Sequence, residues 1–296
     1  MRPSVQTSIA LIGPGAVGGS VAAWLAQSPE HDVTLCVRTP FDRLEVETPE
    51  GRIQADPVIL TNPAEGSPVD WVLVATKTYD AGSTALWLER LVGPETRIAI
   101  LQNGVEHVAR FARFVPTERI VPAVVDIPAE RGAPGRIRQR RMGTIVVPQG
   151  IHSDVFVRLF ARAPIDVATT DDFATAAWTK LALNCAGAVS ALTRQPAGIA
   201  WREDIADIQR AMVRECVAVG RAEGAALADD LPDEVIAKYR AAPRDSVNSL
   251  HADRAAGRPM ELDARNGVIM RLGAKHGIST PVNAMIVALI EAGADA

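Results

Sequence analysis

The chain of 296 residues contains only three cysteines, Cys36, Cys185 and Cys216. Their number is odd, their spacing wide and their surroundings apolar. That excludes a disulfide framework and a zinc site, and it suits a reducing, cytoplasmic location. The five histidines are scattered, with no pair at helical metal-ligand spacing, so no metal is expected. No apolar run approaches the ~18 residues of a membrane span. The chain enters a strand at Ser8 without a signal-peptide pattern. An excess of basic charge is also missing: the net charge of −4 argues against a nucleic-acid or anionic-membrane partner. One stretch runs against that balance. Arg136, Arg138, Arg140 and Arg141 alternate with Ile137 and Gln139, the pattern of an exposed edge strand kept soluble by charge, with phosphate binding as the alternative. There is no internal repeat and no low-complexity tract.

What is present is ample apolar material, 48% of residues, for a large buried core. The first part alternates short apolar runs with helical patterns. Ile9 to Ile12, Val33 to Val37, Trp71 to Thr76 and Arg97 to Leu101 read as strands buried on both faces, and Ala16 to Gln27 and Asp80 to Leu91 as helices. Later strands are expected at Val121 to Val125, Thr144 to Val147 and Ile165 to Val167. This alternation predicts an α/β domain with a doubly wound parallel sheet over residues 1–170. From about Asp171 the pattern turns all-α. Helices are expected at Asp172 to Leu192, Asp204 to Ala226, Asp233 to Ala241, Ser246 to Ala256 and Pro259 to His276. Asp245 or Ser246 would cap the fourth, and Pro259 would sit in the first turn of the fifth. Residues 171–296 thus form a second, helical domain.

The first strand runs directly into Gly13-Pro14-Gly15-Ala16-Val17-Gly18 and then a helix. In that context the glycine spacing is specific for a dinucleotide. Gly13 permits the tight turn, Gly15 lets a pyrophosphate approach the backbone, and Gly18 lets the helix pack closely on the strand. The helix N-terminus offers free N–H groups to the phosphates. At the end of the second strand, ~20 residues on, an NAD site presents a carboxylate to the ribose. Here Arg38 stands instead. A guanidinium can pair with a 2′-phosphate, so NADP(H) is expected. Thr76-Lys77-Thr78 and Gln102-Asn103-Gly104 follow strands at the carboxyl edge of the sheet, where ligands bind in such folds.

The helix from Asp172 is apolar nearly all round except for Lys180 and Asn184, which lie one turn apart on one face. A lysine in a buried helix needs a partner or a task, unless it reaches the surface along its own stem.

At this point the chain resembles the ketopantoate reductase (2-dehydropantoate 2-reductase) family over nearly its whole length. The resemblance rests on the glycine loop with Arg38, on Lys77, on Gln102-Asn103-Gly104, on Lys180 with Asn184, and on Asn248-Ser249 followed by Gly257-Arg258-Pro259-Met260-Glu261-Leu262-Asp263. It implies that Lys180 protonates the ketone oxygen of a 2-oxo acid as hydride arrives from NADPH. Glu261 would orient the lysine and contact the cofactor, and Lys77 would contact the cofactor. Asn103 would bridge nicotinamide and substrate, and Asn184 and Ser249 would hold the substrate. The bottom-up chemistry agrees: a ketone accepting hydride develops negative charge on oxygen, and a nearby ammonium stabilises that charge and then gives up a proton.

The resemblance makes reduction of ketopantoate to pantoate, in pantothenate biosynthesis, the expected reaction. Two positions depart from the family pattern: Ala188 and Ser246 stand where asparagines are common, so the alternative is a paralogue acting on another 2-oxo acid or a bulkier, less polar ketone. A β-hydroxyacid dehydrogenase is a second reading, weakened by the absence of a glycine-rich segment before Lys180. A non-catalytic NADP(H) sensor is a third; it would not need Lys180 and Glu261. The apolar C-terminal helices leave a homodimer open.

Overall fold

The computed structural model describes residues 6–293. They divide into two compact units. One runs to Gln102 and resumes over Glu106–Phe173; the other consists of Asn103–Val105 and the chain from Ala174 onward.

The first unit opens with β1 (Thr7–Ile12), α1 (Ala16–Leu25) and β2 (His31–Cys36). A hairpin of β3 (Leu44–Thr48) and β4 (Gly51–Ala55) follows, then β5 (Val58–Leu60), β6 (Trp71–Val74), α2 (Ala81–Leu91), β7 (Arg97–Ile100), α3 (His107–Phe111) and β8 (Ile120–Pro122). Six of these strands form a parallel sheet in the order β5-β2-β1-β6-β7-β8. Alternate residues of each strand serve opposite faces. Ile9, Leu11, Leu35 and Leu73 share a core with Val21 and Leu25 of α1. Ala10, Ile12, Val72, Val74, Ile98 and Ile100 share another with Trp87, Leu88 and Leu91 of α2. Full burial of such a side chain contributes roughly 1.5–3 kcal/mol, so continuous apolar runs are what a sheet covered on both sides requires.

The unit continues with β9 (Val124–Asp126), β10 (Ala129–Ala133), β11 (Arg136–Gln139), β12 (Thr144–Pro148), α4 (Ile151–Leu159) and β13 (Asp166–Thr170). The strand expected at Val121 to Val125 is in fact two. β8 stays in the parallel sheet, and after Ala123 the chain joins a separate sheet in the order β13-β12-β9. The arginine-rich stretch is also corrected. β11 lies inside a four-stranded sheet of order β10-β11-β3-β4, so it is not an edge. Its alternation does mark one covered face: Arg136 and Arg138 are exposed, Ile137 is buried against α1, and Gln139 accepts the Trp24 indole N–H at 3.0 Å.

The second unit contains α5 (Phe173–Ala186), α6 (Ala188–Thr193), α7 (Glu203–Ala222), α8 (Leu231–Ala241), α9 (Ser249–Ala255), a π turn over Asp263–Gly267, α10 (Val268–His276) and α11 (Pro281–Ala292). Leu181, Cys185, Met212, Cys216, Val235, Ile269 and Ile290 share its core. All three cysteines are free and buried.

The helix expected at Asp172 to Leu192 is interrupted at Gly187. Its released carbonyls find side-chain donors. Tyr239 Oη donates to Leu183 O (3.0 Å), Asn266 Nδ2 to Cys185 O (3.2 Å), Gln209 Nε2 to Ala186 O (3.1 Å) and Asn248 Nδ2 to Gly187 O (3.0 Å). A side chain at Gly187 would strike Tyr239 Oη at 2.7 Å, so the glycine is what admits these donors. Two helix starts also differ from expectation. Asn248, not Asp245 or Ser246, caps α9 by accepting from His251 N at 3.0 Å. Pro259 and Glu261 precede their helix, which begins at Leu262.

Candidate active site

The strand order reverses at β1, which has β2 on one side and β6 on the other. Ligands of open parallel sheets bind at the carboxyl end of such a switch point. Residues 13–18 follow β1 there, and Lys77 follows β6. The three glycines answer three different needs. Gly13 has φ +79, and a Cβ on it would meet Thr76 at 2.7 Å. A Cβ on Gly18 would meet both Ala75 Cβ and Gly13 O at 2.7 Å, so α1 could not close on the sheet. On Gly15, by contrast, a Cβ would have Gly13 O at 4.0 Å as its only neighbour among the described residues within that distance. This open position in front of the α1 N-terminus is the cradle a pyrophosphate needs.

Hydrogen bonds tie the neighbouring loops together. Gln102 Nε2 donates to Thr76 O and Oγ1, each at 3.0 Å. Gln102 O is paired with His107 Nε2 at 2.9 Å, and since a carbonyl can only accept, Nε2 carries the proton. Burial lowers the His107 pKa to about 4, so the ring is neutral at physiological pH. Arg38 leaves β2 with its side chain 76% exposed and its Nη1 3.1 Å from Asp80. An exposed pair of this kind is worth ~0–1 kcal/mol, so the guanidinium is available to a better anion. Lys77, half-buried, opens the short turn Thr78–Asp80.

The second unit assembles its polar groups from three distant stretches. Asn103 Nδ2 donates to Glu261 Oε2 at 3.2 Å, and Asn184 Nδ2 reaches Asn103 Oδ1 at 3.4 Å. Glu261 is 4% exposed. Lys180 is half-buried one turn before Asn184 on α5, and the side-chain bonds at the end of that helix fix the rotation that aims both. Gly104, with φ +107, lets the Asn103 loop lie close to Ala264 of the π turn, where a Cβ would meet Ala264 O at 3.2 Å. Ser249 follows the α9 cap, and its Oγ accepts from Arg265 Nη2 at 2.7 Å.

Reading from residues alone missed Arg265 and Tyr239, and it gave Asn248 no role of its own. Arg265 stands four positions after Glu261 and so shares its face on the expected helix, but an arginine there reads as a surface charge. The π turn widens the helix so that Ala264, Arg265 and Asn266 are all buried in succession. Burial lowers the pKa of the Arg265 guanidinium; the Glu261 and Asp253 carboxylates oppose the shift.

A sheet with this switch point, a glycine loop at its carboxyl edge and a helical unit carrying a lysine and a buried carboxylate define a nicotinamide-dependent oxidoreductase. The family model described as ketopantoate reductase PanE/ApbA matches residues 9–150, and its C-terminal counterpart matches residues 172–294. The chain belongs to the ketopantoate reductase family. It is 67% identical to the 2-dehydropantoate 2-reductase of Caulobacter vibrioides, with 98% of this chain and 100% of that protein covered. It is 40% identical to the Mycobacterium tuberculosis enzyme of the same name, covering 98% and 99%. The solved structure of 2-dehydropantoate 2-reductase from Geobacter metallireducens superposes with a TM-score of 0.90 at 30% identity, covering 97% and 99%. Among the described residues no helix is long and apolar enough to cross a membrane.

Proposed function

We propose that the protein reduces 2-dehydropantoate to pantoate with NADPH. The observation that carries this reading is a buried carboxylate, Glu261, joined through Asn103 to Asn184, one helical turn from Lys180. The nicotinamide, when bound, supplies hydride to the ketone carbon. Lys180 Nζ donates a proton to the ketone oxygen, where negative charge develops, and recovers its proton from solvent. The Glu261 carboxylate holds the Lys180 ammonium in orientation. The carboxamide of Asn103 keeps its Nδ2 on Glu261, and its Oδ1 exchanges the long contact with Asn184 for substrate and nicotinamide. Asn184 and Ser249 hold the polar groups of the substrate. In the first unit, residues 13–18 receive the pyrophosphate and Lys77 adds a positive charge to the cofactor site. Arg38 exchanges Asp80 for the 2′-phosphate, which selects NADPH over NADH.

The departure at Ala188 does not count against ketopantoate. Ala188 has no exposed surface and belongs to the core of the second unit, which speaks against direct contact with a substrate. A homodimer remains part of the reading. Met285 and Leu289 leave apolar surface on α11, which a second copy could cover and sedimentation would detect. The three buried free thiols suit a reducing, cytoplasmic setting.

Steady-state oxidation of NADPH across a panel of 2-oxo acids tests the assignment. Ketopantoate should give the highest kcat/KM, and NADH should serve poorly. Good turnover of a bulkier ketone with none of ketopantoate would favour the paralogue.

A further inference from the structure

Arg265 is 3% exposed, and its position beside the candidate site is not explained by the machinery above. Burying a guanidinium removes it from water at a cost of several kcal/mol unless its charge and its donors are met. Here the Glu261 and Asp253 carboxylates offset part of the charge, Nη2 donates to a neutral hydroxyl, Ser249 Oγ, at 2.7 Å, and the buried Nε has no hydrogen-bond partner among the described residues. The guanidinium is held in place by the π turn, a local widening that an ordinary helix at Asp263–Gly267 would not supply.

The bond to Ser249 also has a direction. The arginine occupies a lone pair of Oγ, so the serine hydrogen is free to point away from the guanidinium. A hydroxyl polarised by a charged donor is itself a better donor. Ser249 is exposed while Arg265 is not. The pair therefore presents one O–H donor to the open side with a fixed positive charge behind it. That combination favours an anion over a neutral group of the same shape, because only the anion gains from the charge as well as from the donor.

We propose that Arg265, through and beside Ser249, recognises the substrate carboxylate and restricts the enzyme to 2-oxo acids over uncharged ketones. This rests on the 2-oxo acid reductase reading above, in which Ser249 meets the substrate. The carboxylate of a 2-oxo acid is bonded directly to the ketone carbon. With the ketone oxygen at Lys180 Nζ, the adjoining carboxylate is the substrate group that needs a positive counterpart distinct from the proton donor. Asn184 and Asn103 are neutral and cannot supply one.

The test compares each 2-oxo acid with its primary amide, which keeps size and hydrogen-bonding capacity but has no charge. Kinetics are measured for the wild type, Arg265→Met, Arg265→Lys and Ser249→Ala, with melting temperature and NADPH affinity recorded for each. The wild type should prefer acid over amide. Arg265→Met should raise KM for the acid ~10–100-fold, the usual worth of a hydrogen bond to a charged group, with a much smaller change in kcat. Its constants for the amide should move less than about threefold, so the acid-to-amide ratio collapses. Arg265→Lys keeps the charge without the planar donors and should retain part of the ratio. The ratio is taken within one protein, so it does not depend on the fraction folded. Should Arg265→Met fail to fold, Ser249→Ala carries the same expectation with a smaller loss. If acid and amide decline together and the wild-type ratio is preserved, Arg265 is a structural strut and the proposal is overturned. A wild type that takes acid and amide alike overturns it too. The ratio is read on whichever 2-oxo acid the wild type reduces, so failure of the ketopantoate assignment alone is a separate result.

Discussion

The two units build their functional groups in opposite ways. In the first, the nucleotide loop is made of backbone: six consecutive residues, 13–18, whose essential property is what their side chains leave out. In the second, the proposed reactive groups are side chains brought from Asn103, from Lys180 and Asn184 on α5, and from Ser249 and Glu261 more than 60 residues beyond. They are aligned by further side chains, Tyr239, Asn248, Gln209 and Asn266, that cap the end of α5. A backbone site tolerates changes around it and fails when an atom is added. A side-chain site fails when an atom is removed, even one far from the chemistry.

That contrast can be broken by experiment. The largest of the effects outside the proposed proton donor is expected at Arg38, the side chain proposed to choose the cofactor in the first unit. Arg38→Ala should weaken NADPH ~10–100-fold and leave NADH nearly unchanged, measured by fluorescence titration of both cofactors. Equal loss of the two would show that Arg38 does not meet the 2′-phosphate. Next come two additions of the same atoms. Gly18→Val forces a Cβ into Ala75 and Gly13 O and should cost ~1–3 kcal/mol of stability, seen as a lower Tm. Gly15→Val places its Cβ in open space, so its Tm should hold while NADPH binding weakens, by less than at Arg38. Reversed outcomes would mean that the roles given to these glycines are wrong. The smallest effect is a removal in the second unit. Tyr239→Phe leaves Leu183 O without its donor and should cost about 1 kcal/mol in urea unfolding. It should also lower kcat modestly without changing NADPH affinity, because the end of α5 carries Asn184. An unchanged kcat would separate the helix cap from the site.

The same contrast explains how much of the molecule the residues alone disclose. The glycine loop, the buried strands and Arg38 are local patterns, and each is found where its pattern stands. Lys180 and Asn184 are legible because four-residue spacing on an apolar helix is local too. The break at Gly187 is not, since its causes are Tyr239 and Asn248, some 50 to 60 positions along the chain. The hairpin β3–β4 and the strands β10 and β11 are short and of mixed polarity, with one covered face, so their charged residues suggest an edge where the structure has an interior strand. Arg265 escapes notice because an arginine is rarely buried without a partner that the sequence can show. Its bond to Ser249, 16 residues earlier, has no counterpart in periodicity.

The central claim is that Lys180 and Glu261 act as one unit, the acid and the carboxylate that orients it. Four proteins test it: wild type, Lys180→Ala, Glu261→Ala and the double variant, compared by kcat/KM at one pH with NADPH affinity measured separately. Lys180→Ala should lower kcat by ~10²–10⁴ while NADPH binding stays nearly intact. Glu261→Ala should cost less, and the double variant should be little worse than Lys180→Ala alone. Losses that add fully in the double variant would show two independent residues, and a normal kcat in Lys180→Ala would remove the proton donor from the account.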